Sequence, residues 1–306
     1  MTRSQVLFKA IDYLFHVPQN YKRFPNVSID RDIVYDENYS YIAKGDAYFD
    51  KRYAQKGKYP VILNIHGGGF VAGDKKHRRS ISSYFADKGW FVFNINYRLS
   101  PYYAFPSPNI DCMKALNYLK QMEEKYNLDL DKVVVTGDSA GAYFAAYLVA
   151  ASNNQKLRNT LEIPDPEVKI AGFMGFCGPY DIALSLESKL PFGLTRDIAG
   201  CFLGFEIKSD FSNLKEFPYY DQLSPINFVD KNWRPSFIAY AEKDIFCKGQ
   251  GEYLKQQLEK LNIPVFSHNS MKLMDNHCYH LDMFKAISKD CLIEAVKFLD
   301  FIKGLK

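Results

Sequence analysis

Apolar and polar positions along the chain follow two different periods. Val6, Leu7, Ala10, Ile11, Leu14 and Phe15 recur at helical spacing, which predicts an amphipathic helix over residues 1–17. Over 27–35 apolar and polar residues alternate, the mark of a half-buried strand, and 46–53 is its expected partner. From residue 59 the texture changes. Short, almost continuous apolar runs appear at 61–65, 90–95, 133–135, 170–176 and 237–240. A strand covered on both faces has no solvent side to keep polar, so such runs predict central strands. Helical patterns at about 110–126, 140–152, 248–261 and 289–303 separate several of them. This alternation predicts an α/β fold, a mostly parallel central sheet with helices on both faces.

The stretch 179–228 breaks the rhythm. It carries Pro179, Pro191, Pro218 and Pro225 and no clear buried strand. A structureless loop of that length is foreign to a compact domain, so it is expected to be an inserted, partly helical cap. The expected organisation is one domain over 1–306, with cap elements at 1–45 and 179–228.

Composition narrows the function classes. Hydrophobic residues are 47% and charged residues 24%, enough for a large core and unlike a disordered chain. The net charge of +4 supplies no basic stripe, and 75–79 (Lys-Lys-His-Arg-Arg) reads as a solvated loop rather than a nucleic-acid patch. No stretch approaches 18 uncharged apolar residues, so no membrane span is expected. Lys9 and Asp12 interrupt any apolar core of a signal peptide, and the six scattered cysteines contain no C-x-x-C pair. Reduced thiols and a cytoplasmic location are the expectation.

The candidate chemistry begins at residues 133–141, Val-Val-Val-Thr-Gly-Asp-Ser-Ala-Gly, a strand running into G-x-S-x-G with a helical run directly behind it. A sharp strand-to-helix turn lifts a serine Oγ above the sheet, and glycines on either side let neighbouring backbone approach. Ser139 is therefore a candidate nucleophile. A second glycine-rich turn, His66-Gly67-Gly68-Gly69-Phe70, ends the run at 61–65. Backbone N–H groups of Gly68 and Gly69, with that of Ala140, are candidate oxyanion donors, and Gly67 is a weaker one. His66 reads as a brace for this loop, and Asp138 as a residue that holds the serine turn.

These motifs together resemble the hormone-sensitive-lipase-like esterases of the α/β-hydrolase fold, which join H-G-G-G to G-D-S-A-G. Tyr97-Arg98-Leu99-Ser100-Pro101 and Phe105-Pro106, lying between them, resemble that family's Y-R-L-A-P and F-P. The resemblance runs from about residue 59 to the end of the chain. It implies the order nucleophile, acid, base. Asp244, after the run at 237–240, stands where the family has its acid, with Glu242 as a neighbour. His277-Cys278-Tyr279 aligns with the family's H-G-F and implies His277 as base, with His280 three residues on as the competitor.

A metal cluster of His277, Cys278 and His280 is not expected, and neither is a cofactor. The resemblance implies a serine hydrolase of short- to medium-chain or acetyl esters working through an acyl-enzyme. Phe70 and the cap residue Tyr219 are the candidate substrate contacts, with Phe192, Phe202, Phe205 and Tyr220 as further cap aromatics. An amidase on the same triad and a silent receptor on the same fold are the rivals. The partner is a small-molecule ester, and a homodimer through about 263–303 follows the family.

Overall fold

The computed structural model describes residues 1–187, 190–272 and 274–305, so two positions of the insertion, position 273 and the last residue lie outside it. The strands are β1 (Val27–Val34), β2 (Lys44–Asp50), β3 (Tyr59–Ile65), β4 (Phe91–Ile95), β5 (Leu128–Asp138), β6 (Ile170–Phe176), β7 (Ser236–Ala241) and β8 (Val265–Ser270). The helices are α1 (Arg3–Asn20), α2 (Arg79–Asp87), α3 (Ser107–Tyr126), α4 (Ala140–Asn153), α5 (Gln155–Leu161), α6 (Ile182–Glu187), α7 (Leu194–Leu203), α8 (Gln250–Lys260) and α9 (Ala286–Gly304).

The strands form one sheet in the order β1-β2-β4-β3-β5-β6-β7-β8. β2 runs antiparallel to both β1 and β4, and every pairing from β4 to β8 is parallel. The apolar runs are explained by the two-residue period of a strand. Val61, Leu63, Ile65, Phe91, Phe93, Val133 and Val135 enter a core on one face with α3 and α4. Ile62, Val92, Val134, Met174 and Phe237 enter a second core on the other face with α2 and α9. The two polar interruptions, Asn64 and Asn94, pair side chain to side chain at 3.0 Å, and Asn94 Nδ2 donates to the carbonyl of Lys75.

Three expectations need correction. The segment 1–45 is not all cap: β1 is the edge strand of the sheet, while α1 packs against α7 of the insertion. Strand β2 ends at Asp50 rather than 53, because the Asp50 carboxylate accepts the N–H of Arg52 and starts a 3-10 turn. The basic cluster is not solvated. Lys75, His77 and Arg78 are buried, Lys75 pairs with Asp32 and Asp46, and Arg78 pairs with Asp138. Helix α2 follows at once, with only Ile81, Phe85 and Ala86 as apolar anchors among serines, too few to announce it.

Register sets the site. Ile65 pairs with Gly137 and Gly137 with Gly175, so the carboxyl ends of β3, β5 and β6 finish side by side. The chain leaves these ends through the glycine loop, the Ser139 turn and Cys177. The carboxyl edge of such a sheet is where loops gather side chains from distant parts of a chain.

Candidate active site

Ser139 joins β5 to α4 with φ 52° and ψ −123°, a conformation non-glycine residues rarely adopt. The turn is held by Ser139 N–H donating to the carbonyl of Phe176 at 2.8 Å. Its flanking glycines are needed for space. A Cβ on Gly141 would sit 2.0 Å from the carbonyl oxygen of Ile65, and one on Gly137 would sit 2.4 Å from the Gly141 carbonyl carbon. The serine thus stands at the positive end of α4.

The glycine loop lies beside it. Gly68 has φ +135° and Gly69 φ +59°, and a Cβ on Gly69 would meet the Phe8 ring of α1 at 2.1 Å. His66 is buried and braces the loop: Nδ1–H donates to the Gly67 carbonyl at 2.8 Å, and the ring stacks on Tyr97 at 4.5 Å. Burial lowers its pKa to about 4, so it stays neutral near pH 7. Asp138 is buried under the turn. Burial alone would raise its pKa, but the Arg78 guanidinium outweighs this and holds it below the usual carboxylate range.

Asp244 and His277 meet across 33 residues of chain. The imidazole Nδ1 lies 3.0 and 2.8 Å from the two Asp244 carboxylate oxygens. Asp244 Oδ1 also accepts the backbone N–H groups of Phe246 and Cys247 at 2.8 and 2.9 Å. Burial pushes this carboxyl up, and His277 with the two amides more than offsets it, so the acid is held ionised below its usual range. The competitors stand elsewhere. Glu242 follows the last residue of β7, and its Oε1 accepts from Asn269. His280 is buried, stacks on Phe176 at 4.0 Å, and has its pKa lowered by burial to about 3.

Two cavities meet at Ser139. The smaller, about 80 Å³, is apolar and includes Gly69, Phe70, Ala140, Phe202, Leu203 and Phe246. The larger, about 430 Å³, runs from Gly68 and Ser139 to His277 and includes Asp12, Arg78 and Cys278. Phe70 lines the smaller cavity. Tyr219 does not: it packs on Phe105 and Phe217, and neither cavity counts it among its described lining residues. Of the other cap aromatics only Phe202 reaches a cavity, stacking on Phe70 at 3.9 Å, and Phe192 is 84% exposed. Sequence reasoning missed Phe8, Asp12, Arg78 and Phe246. A buried aspartate at the serine turn requires a cation, and the basic run at 75–79 was the available signal.

The sheet order, the strand-end turns and the Asp244–His277 pair define an α/β-hydrolase. Residues 46–258 match the family model BD-FAE, and the chain belongs to that family. It is 26% identical over 189 residues to esterase LipQ of Mycobacterium tuberculosis, covering 60% of this chain and 42% of that one. It is 25% identical over 213 residues to an arylesterase of Saccharolobus solfataricus, covering 68% and 64%. The match thus spans less than half the length of LipQ. The solved structure of esterase B from Lactobacillus Rhamnosis superposes with a TM-score of 0.83 at 18% identity, covering 98% of this chain and 94% of that one, which establishes the shared fold.

Proposed function

We propose that the protein is a serine carboxylic-ester hydrolase for short- to medium-chain acyl or acetyl esters. One observation carries the reading: the His277 ring, anchored at Nδ1 by Asp244, borders the same cavity as Ser139 on its strained turn. Relatives named esterase and arylesterase support it.

In this reading Ser139 Oγ attacks the ester carbonyl while His277 Nε2 takes its proton. Asp244 keeps the proton of His277 on Nδ1, so that Nε2 presents its lone pair, and it stabilises the imidazolium. The oxyanion forms against the N–H groups of Gly68, Gly69 and Ala140, each worth about 2.7–4 kcal/mol of transition-state stabilisation. His277 then gives its proton to the leaving alkoxide, the ester C–O bond breaks, and an acyl-Ser139 remains. Water, deprotonated by the same imidazole, hydrolyses that ester and frees the serine. The acyl group occupies the small apolar cavity and the alcohol the larger one.

The test is turnover of 4-nitrophenyl butyrate by the wild type and by Ser139→Ala. A loss of at least about a thousandfold is expected. Retention of more than that by the alanine variant refutes Ser139 as nucleophile. In a series of acyl lengths the rate is expected to fall beyond roughly eight to ten carbons, because an enclosed pocket is finite. A rate that climbs steadily into long-chain emulsions refutes the assignment of chain length.

A further inference from the structure

His277 is surrounded by sulfur. Cys177, at the end of β6, and Cys278, next to the imidazole in the chain, are both buried and both adopt positive φ, 52° and 55°. The Cys278 N–H donates to Cys177 Sγ at 3.3 Å across 101 residues. Donor atoms of Cys177, Cys278 and His277 all lie within 4.8 Å of one another. A second group within the same limit, Asp244, Cys247 and His277, shares the imidazole. The sequence pairing of His277, Cys278 and His280 misses this arrangement, because His280 turns onto Phe176 and Cys177 arrives from another strand.

We propose that Cys177, Cys278 and His277 form a capture site for a thiophilic d10 cation, Zn²⁺ or Cd²⁺, and that filling it switches hydrolysis off. The switching half rests on the esterase reading above, whereas the binding half does not. Two thiolates and one imidazole are a common zinc donor set, with Zn–S near about 2.3 Å and Zn–N near about 2.0 Å. A tetrahedral centre of that size needs donor separations of about 3.3–3.8 Å, so donors that lie within 4.8 Å of one another need draw in by at most about 1.5 Å. On binding, both thiols release their protons to solvent, and the ion exchanges coordinated waters for two thiolates and a ring nitrogen. The carboxylate of Asp244, already on the same ring, is the adjacent oxygen donor.

Access comes from the substrate side: Cys278 lines the larger cavity and Cys247 the smaller. Loss of activity follows from either ring nitrogen. A metal on Nε2 removes the base, and a metal on Nδ1 displaces Asp244 and leaves the ring unanchored.

The test titrates Cd²⁺ into the reduced protein, following the thiolate-to-cadmium charge-transfer band and butyrate-ester turnover together. One equivalent is expected to raise the band and stop turnover in parallel. Cys177→Gly and Cys278→Gly, the glycine tolerating the positive φ of both positions, are each expected to lose the band and shift the inhibition midpoint upward by at least about tenfold. Inhibition and band unchanged in both variants overturn the proposal. If either variant fails to fold, X-ray absorption on the zinc-loaded wild type decides: two sulfur neighbours support the site, and an all-nitrogen-and-oxygen shell overturns it. The two readings fail separately. A band that needs both cysteines, in a protein that hydrolyses no ester, supports the site and refutes the esterase. Ester turnover with no band at one equivalent refutes the site alone.

Discussion

Arg78 and Asp138 close a buried two-point ion pair directly beneath the Ser139 turn, with guanidinium nitrogens 2.5 and 2.6 Å from the two carboxylate oxygens. The pair ties the loop after β3 to the end of β5, and a Cβ on Gly67 would already collide with Asp138 Oδ2 at 2.5 Å. Removing one partner of such a pair leaves an uncompensated buried charge, which destabilises by about 3–5 kcal/mol. Arg78→Met is expected to lose stability on that scale in chemical denaturation. Arg78→Met combined with Asp138→Asn is expected to regain part of the loss. A single variant within about 0.5 kcal/mol of wild type would show that the pair contributes little.

Asp12 of α1 lines the larger cavity, and its pKa is raised to about 6. Burial is the main cause, opposed by Arg78 and reinforced by Asp138 and Asp74, while His77 Nε2 lies 3.9 Å away. The unfolded chain releases this proton near pH 3.8 and the folded chain only near pH 6, so across that window the folded state holds more protons. Stability from this group is therefore full below pH 3.8 and is lost as pH rises to about 6. Asp12→Asn is expected to raise the melting temperature at pH 8 and to leave it unchanged at pH 3.5. Equal gains at both pH values would rule out titration of Asp12 as the cause.

Much of this site is readable from the chain because its parts are local. A strand that ends in G-x-S-x-G, or in His-Gly-Gly-Gly, carries its own geometry: the register of β3 with β5 then brings Ser139 and Gly69 together without further instruction. The pieces that escaped are those whose meaning depends on distant partners. Lys75 and Arg78 look like surface charge until Asp46 and Asp138 are placed against them. Tyr219 sits in the predicted cap, but period and composition say nothing of which cap aromatic faces the cavity, and Phe202 is the one that does. Likewise α1 has an amphipathic pattern that predicts a helix and not the contact of Phe8 with Gly69.

Phe202 of α7 lines the small cavity, stacked on Phe70 at 3.9 Å and edge-on to Tyr143 at 5.5 Å. Truncation to alanine removes a buried ring, which typically lowers stability by about 3–5 kcal/mol, and lengthens the apolar pocket. Phe202→Ala is expected to shift the preferred acyl chain to longer esters while lowering the melting temperature. The measurement is kcat/KM across a series of nitrophenyl esters. An unchanged profile would mean that the acyl group does not enter this cavity.

The two histidines three apart in sequence have opposite surroundings, and this separates their expected roles. His277 contacts a carboxylate and lines the larger cavity, while His280 is buried with its Nδ1 unpartnered among the described residues. Burial keeps His280 neutral near pH 7, its pKa being lowered to about 3. The charge of Asp138 favours its protonated form but is outweighed by burial, and its ring is packed flat against Phe176. His280→Phe preserves that stacking surface and is expected to keep turnover within about tenfold of wild type, since it removes packing detail rather than a proton acceptor. His277→Gln is expected to lose turnover by about a thousandfold or more, as removal of the base from a serine triad does. Steady-state rates on one ester decide between them, and the reverse order of losses would move the base to His280.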